Sequence, residues 1–294
     1  MNLFEELKFK FSRGNAIVRI IMINVLVFIV FGLTNTIFIL TMGSQAQDAV
    51  QNFRNWFELP ASFSRLLYQP WSLFTYMFLH NGFLHLIFNM LWLYWIGQIL
   101  QQFLGNAKTY VAYLLGGLSG AIAYLVVYNI SPFLQPTVSL AFVVGASAAV
   151  YAVVFASATL SPDYELSLFL IGPVKLKFIA LATILSDLIM IPVDGNAGGH
   201  IAPLGGAFFG FLYIKQLYSH NFLSKGFDKL ESLFAPKPKS NLRVYHRSAF
   251  IRKEEKGRPT QEEIDQILDK INSKGISVLS QKERDLLNQF GKDK

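Results

Sequence analysis

Five residues set in apolar sequence have the types and spacing that nucleophilic catalysis needs. A serine, Ser147, stands two positions after Gly145 in a run of small residues. His80, His85 and Asn89 form a second group, in which His85 and Asn89 are four apart and share one face of a helix. A serine can attack a carbonyl carbon when a base takes its proton and donors receive the developing oxyanion.

The position of Ser147 predicts an unusually short helix. If Gly145 breaks the chain and a helix begins at Ser147, that helix must end before Ser161 and Pro162. About 14 residues span roughly 21 Å, less than the hydrocarbon core of about 30 Å, which places Ser147 roughly 10 Å below the outer surface. Non-helical backbone at that depth must line a wet cavity or be buried in protein. The alternative is a packing face of small residues.

The group of His80, His85 and Asn89 also has two interpretations. Polar side chains at membrane depth are costly, so they face a partner or a wet cavity. Hydrogen bonding between helices explains one such residue, whereas three on one half-span favour a site. No carboxylate or cysteine lies near them in the sequence, and the chain has no cysteine at all. We therefore predict neither a metal nor a cofactor.

The elements that position these residues are membrane helices. The chain has 294 residues, of which 52% are hydrophobic and only 15% charged; globular domains carry about 25% charged residues. Residues 1–220 hold 10 Lys/Arg and 8 Asp/Glu, whereas the much shorter segment 221–294 holds 16 Lys/Arg and 11 Asp/Glu. This distribution does not indicate a nucleic-acid partner. Apolar stretches of spanning length predict six helices, at about 17–42, 72–100, 108–130, 138–160, 167–193 and 201–219.

Basic residues predict the orientation of these six spans. Lys108, Lys175, Lys177, both termini and the basic tail share one side, whereas only Arg54 and Arg65 lie on the other. The positive-inside rule then places both termini in the cytoplasm. We expect an integral protein of the bacterial cytoplasmic membrane that contacts lipid.

The sequence divides into four parts. Residues 1–16 form a cytoplasmic segment, 17–220 the membrane domain, 221–259 a basic linker and 260–294 a small cytoplasmic module of two helices. Two capping boxes, 260–263 and 280–283, begin the two helices of this module. A module of this size has a small core, so we expect it to dock on a partner, whose identity the sequence does not specify.

The motifs of the membrane domain resemble those of the rhomboid intramembrane serine proteases. The second helix of that family carries His-x4-His-x3-Asn, which matches His80, His85 and Asn89. Its fourth helix opens with Gly-x-Ser and has a tyrosine four residues later, which matches Gly145, Ser147 and Tyr151. The similarity covers about residues 15–220 and implies an all-α, six-helix rhomboid-like bundle followed by a small cytoplasmic helical tail.

The resemblance also implies a role for each matching residue. Ser147 would be the nucleophile, and His85, Asn89 and the Ser147 backbone N–H would bind the oxyanion. His80 would order that cavity, and Tyr151 would stack on the imidazole of the general base.

The last helix departs from the family pattern. There the base is a histidine followed by glycines three and seven positions later, and Gly206 and Gly210 have that spacing here. Counting back from Gly206 gives Pro203, whereas His200 lies three residues earlier. Proline suits the first turn of a helix, so we expect His200 just before the helix and about one turn too far outward.

Two functions follow from this departure. Either His200 serves as a displaced base of an endopeptidase that cleaves transmembrane segments, or the chain is a weak or inactive pseudoprotease that binds client transmembrane helices. Because the glycine spacing places Pro203 where the base belongs, we expect weak proteolytic activity, and we expect Pro203→His to raise it. A transporter is a third, weaker hypothesis. The sequence shows no repeat of broken helices and, apart from the single charge of Asp187, no midplane charge pair.

Overall fold

The protein is mostly helical. The computed structural model describes residues 3–168, 171–193, 195–217, 222–234 and 261–292. The α-helices are α1 Leu3–Arg13, α2 Ala16–Met42, α3 Ala46–Asn55, α4 Phe63–Tyr68, α5 Ser72–Thr75, α6 Phe83–Ile130, α7 Ser147–Leu160, α8 Leu176–Met190, α9 Ala197–Leu217, α10 Phe222–Phe234, α11 Gln261–Lys274 and α12 Gln281–Lys292. The strands are β1 Leu59–Pro60, β2 Phe142–Val143, β3 Glu165–Leu168 and β4 Gly172–Lys175.

The chain forms two compact units, residues 1–236 and 237–294. Within the described residues of the first unit, three stretches are long and apolar enough to cross a membrane: Ala16–Asn55, Phe83–Ile130 and Ala197–Leu217. The longest one bends at Gly105, whose φ of 79° interrupts the helical conformation. Large apolar side chains such as Leu26, Leu33 and Leu40 on α2 are exposed, as expected for a helix that faces lipid.

Close backbone contacts hold α6, α7 and α9 together. A Cβ atom added to Gly206 would overlap the carbonyl oxygen of Ala148, and one added to Gly210 would overlap that of Ala152. Gly120 of α6 leaves room for the Ala148 side chain of α7 and for the Ala202 carbonyl oxygen of α9. Small residues let membrane helices approach this closely, so these glycines determine how far α9 lies from the serine-bearing helix α7.

The short helix predicted to begin at Ser147 is confirmed. Helix α7 runs from Ser147 to Leu160, and the residues before it form a strand instead of the start of a span at residue 138. Strand β2 pairs antiparallel with β1, with Leu59 opposite Val143. This pairing satisfies backbone groups that a membrane would leave without partners, and it anchors the segment that leads into Ser147.

Two predicted spans begin too early. Helix α6 begins at Phe83, not at residue 72. Residues 72–78 form α5 and a 3-10 turn, and the φ of 105° at Gly82 prevents a helix from continuing through that residue. His80 therefore precedes the helix that carries His85. The span predicted to begin at residue 167 begins at Leu176, after the β3–β4 hairpin. The apolar residues of that hairpin explain the error, since they resemble the start of a helix in the sequence.

The last membrane helix begins earlier than predicted. Helix α9 starts at Ala197, and Asn196 caps it by accepting a hydrogen bond from the Gly199 N–H at 3.2 Å through its side-chain oxygen. His200 consequently lies in the first turn instead of before the helix. Pro203 lies inside the helix instead of at its first position, and its missing N–H leaves the Gly199 carbonyl without the usual donor.

A further helix occupies the start of the predicted linker. Helix α10 packs against the membrane domain through Glu231, whose carboxylate binds Lys108 Nζ at 2.5 Å and accepts a hydrogen bond from the Tyr213 hydroxyl at 2.8 Å. Phe234 stacks on Tyr110 with 5.2 Å between ring centroids. These contacts with α6 and α9 are not visible in the sequence of α10. The rest of that segment lies outside the described residues.

The second unit contains the two predicted tail helices. Ile264, Ile267 and Leu279 are its buried apolar residues among those described. The capping box at the start of α12 is confirmed, since the Ser280 N–H donates to Glu283 at 2.8 Å and the Glu283 N–H donates to the Ser280 hydroxyl at 3.4 Å. The other predicted box includes residue 260, which lies outside the described residues.

We expect Gly210→Ala to destabilise the membrane domain by about 1–3 kcal/mol, because the new methyl group would overlap the Ala152 carbonyl oxygen. Thermal unfolding in detergent would measure the loss. Gly32→Ala on α2 is the matched control, since nothing lies within 4 Å of a Cβ at that exposed position. Equal unfolding temperatures for the two variants would contradict the close α7–α9 contact.

We expect the pairing of α11 with α12 to weaken in acid. The hydrogen bond from Lys270 and those from the Ser280 N–H and hydroxyl lower the pKa of Glu283 from 4.5 to about 2. A depressed carboxyl pKa stabilises the fold above the unfolded value of about 4.5, and this stabilisation is lost as the pH falls toward 2. Hydrogen exchange of residues 261–292 in the full chain, corrected for intrinsic rates, would show it.

The matched control for this pH dependence is Glu262→Gln, which changes an exposed acid in the first turn of α11. Glu283→Gln should reduce amide protection at pH 6 and flatten its dependence on pH, while the control should retain the wild-type profile. A wild-type profile for Glu283→Gln would show that the carboxylate contributes nothing to this unit.

Candidate active site

Ser147 is the first residue of α7 and is partly exposed. Its backbone N–H is among the first of the helix, where donors lack intrahelical partners. Gly145, two residues before it, has a φ of 136°, and its N–H donates to the Tyr76 carbonyl at 3.0 Å. A side chain is strained at this φ, so glycine permits the turn that presents the serine.

His85 reaches the same point as the serine. A Cβ atom added to Gly145 would lie 3.1 Å from His85 Nε2 and 3.5 Å from Ser147 Oγ. Nδ1 of His85 accepts a hydrogen bond from the Asn81 N–H at 3.3 Å. A neutral imidazole that accepts at Nδ1 carries its proton on Nε2, so His85 presents a donor toward the serine.

His80 lies against His85 and borders a cavity. The two rings meet edge to face, with 5.2 Å between their centroids. His80 is only 5% exposed, and neither of its ring nitrogens has a hydrogen-bond partner among the described residues. It lines a cavity of about 190 Å³ with Arg54 and Asn35. Most of its lining is apolar, and these three polar side chains are the groups that can hold water there.

Asn89 is buried on the same helix face as His85, as the spacing predicted. Its Nδ2 group donates to the His85 carbonyl oxygen at 2.9 Å. An amide nitrogen has two N–H groups, so this bond within the helix uses one and leaves a second donor.

His200 binds a carboxylate. Its Nδ1 lies 2.8 Å from Asp187 Oδ1, which joins α9 to α8. Asp187 was not among the predicted site residues, although a lone carboxylate in an apolar helix was a signal that could have identified it.

Tyr151 and Pro203 complete the surroundings of this pair. The Tyr151 ring stacks on Phe155, with 6.0 Å between the ring centroids. The resemblance implied stacking of Tyr151 on the base, whereas the ring stacking observed here is with Phe155. Pro203 is buried in α9. A proline side chain has no atom that can accept a proton.

The fold and this site define an integral membrane protein whose apolar helices carry an accessible serine next to polar side chains. The Rhomboid domain family matches residues 68–220. Since this match covers more than half of the chain, the protein belongs to the rhomboid family, which confirms the resemblance noted in the sequence. A family of unknown function (DUF6576) matches residues 253–293.

Curated relatives match over shorter segments. RHOMBOID-like protein 2 of Arabidopsis thaliana is 40% identical over 84 residues, which is 29% of this chain and 23% of that relative. Rhomboid protease GlpG of Salmonella choleraesuis is 32% identical over 80 residues, which is 21% of this chain and 29% of that relative. Rhomboid protease GlpG of Salmonella newport is 31% identical over 80 residues, with the same coverage of both chains. The chain therefore spans less than a third of the length of each of these relatives.

Proposed function

We propose that the protein is an intramembrane serine endopeptidase that cleaves transmembrane segments of other membrane proteins. The observation that carries this proposal is the convergence of Ser147 Oγ and His85 Nε2 on Gly145 at the start of a short helix. Membership of the rhomboid family and the name of the GlpG relatives support the same reaction class.

In this proposal Ser147 Oγ attacks the carbonyl carbon of the scissile peptide and His200 takes its proton. The C–O bond forms while the carbonyl π electrons move to the oxygen, and the resulting oxyanion accepts hydrogen bonds from His85 Nε2–H, Asn89 and the Ser147 backbone N–H. Collapse of this intermediate breaks the C–N bond, and the proton passes to the leaving amine. Water then hydrolyses the acyl-enzyme.

A second candidate function is a pseudoprotease that binds client transmembrane helices in the same groove. The observation that favours it is Pro203, which occupies the position where the family carries its base. Under this hypothesis the serine and its oxyanion donors remain, but no base accepts the serine proton.

We also propose that the membrane domain has six spans with both termini in the cytoplasm. The bend at Gly105 divides α6 into two spanning segments, and α7 and α8 supply two spans that are shorter than usual. The serine would then open toward the outer half of the membrane. The partners would be lipid and transmembrane proteins, and the tail helices would bind a partner of their own.

Labelling with a serine-directed fluorophosphonate tests the proposed activity. The wild type should be labelled and Ser147→Ala should not, because the reagent reacts with an activated serine. Ser131→Ala, which removes a partly exposed serine at the end of α6, should be labelled like the wild type. If the wild type and Ser147→Ala react equally, the proposed protease function is wrong.

We expect His85→Ala and Asn89→Ala each to reduce cleavage of a transmembrane substrate by about 10²–10³-fold, as loss of one oxyanion donor does. Initial rates in proteoliposomes would measure this reduction. Gln102→Ala, a change of an exposed polar residue on the same helix, should retain the wild-type rate. Full activity of His85→Ala or of Asn89→Ala would exclude the substituted residue as an oxyanion donor.

The proposed orientation predicts where attached reporters work. A reporter that is active only in the cytoplasm should work when it follows residue 294, because basic residues crowd that side. A reporter that is active only outside should work when it is inserted in the loop 43–71. The reverse pattern would contradict the six-span topology.

A further inference from the structure

We propose that Arg54 is a positioning residue, which orients the oxyanion donor His85 by holding Asn81. This role rests on the proposed protease function, and it belongs to a residue that does not itself contact the reacting atoms. Three consecutive hydrogen bonds connect the segment after α2 with the serine site, and Arg54 donates two of them.

The bond nearest to the site joins Asn81 to His85. The Asn81 N–H donates to His85 Nδ1 at 3.3 Å, so the neutral ring carries its proton on Nε2. A Cβ atom added to Gly145 would lie 3.1 Å from this Nε2 and 3.5 Å from Ser147 Oγ, so the ring presents its donor next to the serine. Without the bond, the neutral ring could carry its proton on Nδ1, and Nε2 would have no hydrogen to donate.

The turn that carries Asn81 has little local support. Helix α6 begins after Gly82, which has a φ of 105° and no side chain that could cap the helix. A capping side chain normally binds the first N–H groups of a helix and thereby fixes its first turn. Here a distant residue holds the turn instead, because the side-chain oxygen of Asn81 accepts a hydrogen bond from Arg54 Nη2. Arg54 therefore fixes the direction in which the Asn81 N–H points.

The Arg54 side chain is itself held in one orientation. Its Nε donates to the Glu58 carboxylate at 2.9 Å, and the two side chains are 25% and 7% exposed. A guanidinium group is planar and its N–H groups point in fixed directions, so the bond at Nε determines where Nη2 points. Gln69 holds the same segment by donating to the carbonyl oxygens of Asn55 and Glu58 at 2.9 and 3.1 Å.

Aromatic side chains anchor the segment that carries Arg54 to α2. Phe53 and Phe57 both lie against Phe31 of α2, with 5.3 Å between the ring centroids in each pair. Phe53 also meets Phe38 of α2 edge to face, at 5.8 Å between centroids. The orientation of His85 thus depends on packing between α2 and α3, which lie far from it in the sequence.

The alternative is an ion pair that only stabilises the loop 43–71. A buried ion pair is weak evidence for stability, because removing both charges from water offsets much of their attraction. The pair of Arg54 with Glu58 would also stabilise this loop without a bond to Asn81. The second bond of Arg54, which goes to the turn whose N–H binds His85, favours the positioning role.

Rates of cleavage of a transmembrane substrate by the full chain in proteoliposomes test this role in Arg54→Gln and Asn81→Ala. Asn81→Asp is the conservative variant, since a carboxylate can still accept the hydrogen bond from Arg54. Gln51→Ala is the matched control, because this exposed side chain on α3 binds Asn55 of the same helix at 2.8 Å. The final extent of fluorophosphonate labelling gives the amount of active enzyme, so that loss of folded protein is not counted as loss of rate.

Arg54→Gln and Asn81→Ala should each lower kcat per labelled site by about 10–100-fold, as removal of a residue that orients a functional histidine does. KM should not change, because the oxyanion donor acts in the transition state and not on the bound substrate. Asn81→Asp and the control should retain the wild-type kcat. In the His85→Ala background Arg54→Gln should have no further effect, since residues that act through one another are not additive.

A second measurement reports the tautomer of His85 without any need for activity. Nitrogen-15 chemical shifts distinguish a protonated from an unprotonated ring nitrogen, and the His85 signal is identified among the five histidines by its loss in His85→Ala. At about pH 8 histidine is neutral. The wild type should then carry the proton on Nε2, and a signal of the other tautomer should appear in Arg54→Gln.

The inference is wrong if Arg54→Gln keeps both the wild-type kcat and the wild-type tautomer. It is also wrong if Arg54→Gln lowers kcat by the same factor in the His85→Ala background, because Arg54 would then act independently of His85. If Ser147→Ala cleaves the substrate like the wild type, the proposed protease function fails, and the tautomer of His85 in Arg54→Gln still decides whether Arg54 positions that ring.

Discussion

The backbone contact between α7 and α9 is the constraint on which the rest of the membrane domain depends. Gly206 and Gly210 bring α9 against the carbonyl oxygens of α7, and no residue with a Cβ atom fits at these positions without movement of a helix. Since lipid provides little hydrophobic driving force between helices, close packing of this kind supplies much of the attraction. The contact sets the register of His200 and Pro203 relative to Ser147.

The interior of the bundle accommodates a polar site because most backbone groups at the interruptions between helices have hydrogen-bond partners. The segment before Ser147 pairs as a strand with Leu59 and Pro60, and the Gly145 N–H binds the Tyr76 carbonyl. In hydrocarbon an irregular backbone is stable only when it is satisfied in this way or lines a cavity. The irregular backbone in turn allows α7 to begin at Ser147, so that the serine is its first residue.

The chemistry of the site follows from which nitrogen of each histidine carries a proton. In His85 the Asn81 N–H donates to Nδ1 and leaves a donor at Nε2, whereas Nδ1 of His200 lies 2.8 Å from the Asp187 carboxylate. The two histidines therefore have different partners at the same ring nitrogen.

The sequence by itself determined the features that depend on neighbouring residues. Gly145 and Pro162 limit α7 to the 14 residues from Ser147 to Leu160, and the motif spacing placed His85 and Asn89 on one face. The start of α9 was wrong, because the cap formed by Asn196 outweighed the preference of Pro203 for a first turn. The bond between Asp187 and His200 was decided only by tertiary structure, since it joins side chains on two helices whose relative rotation no local pattern specifies.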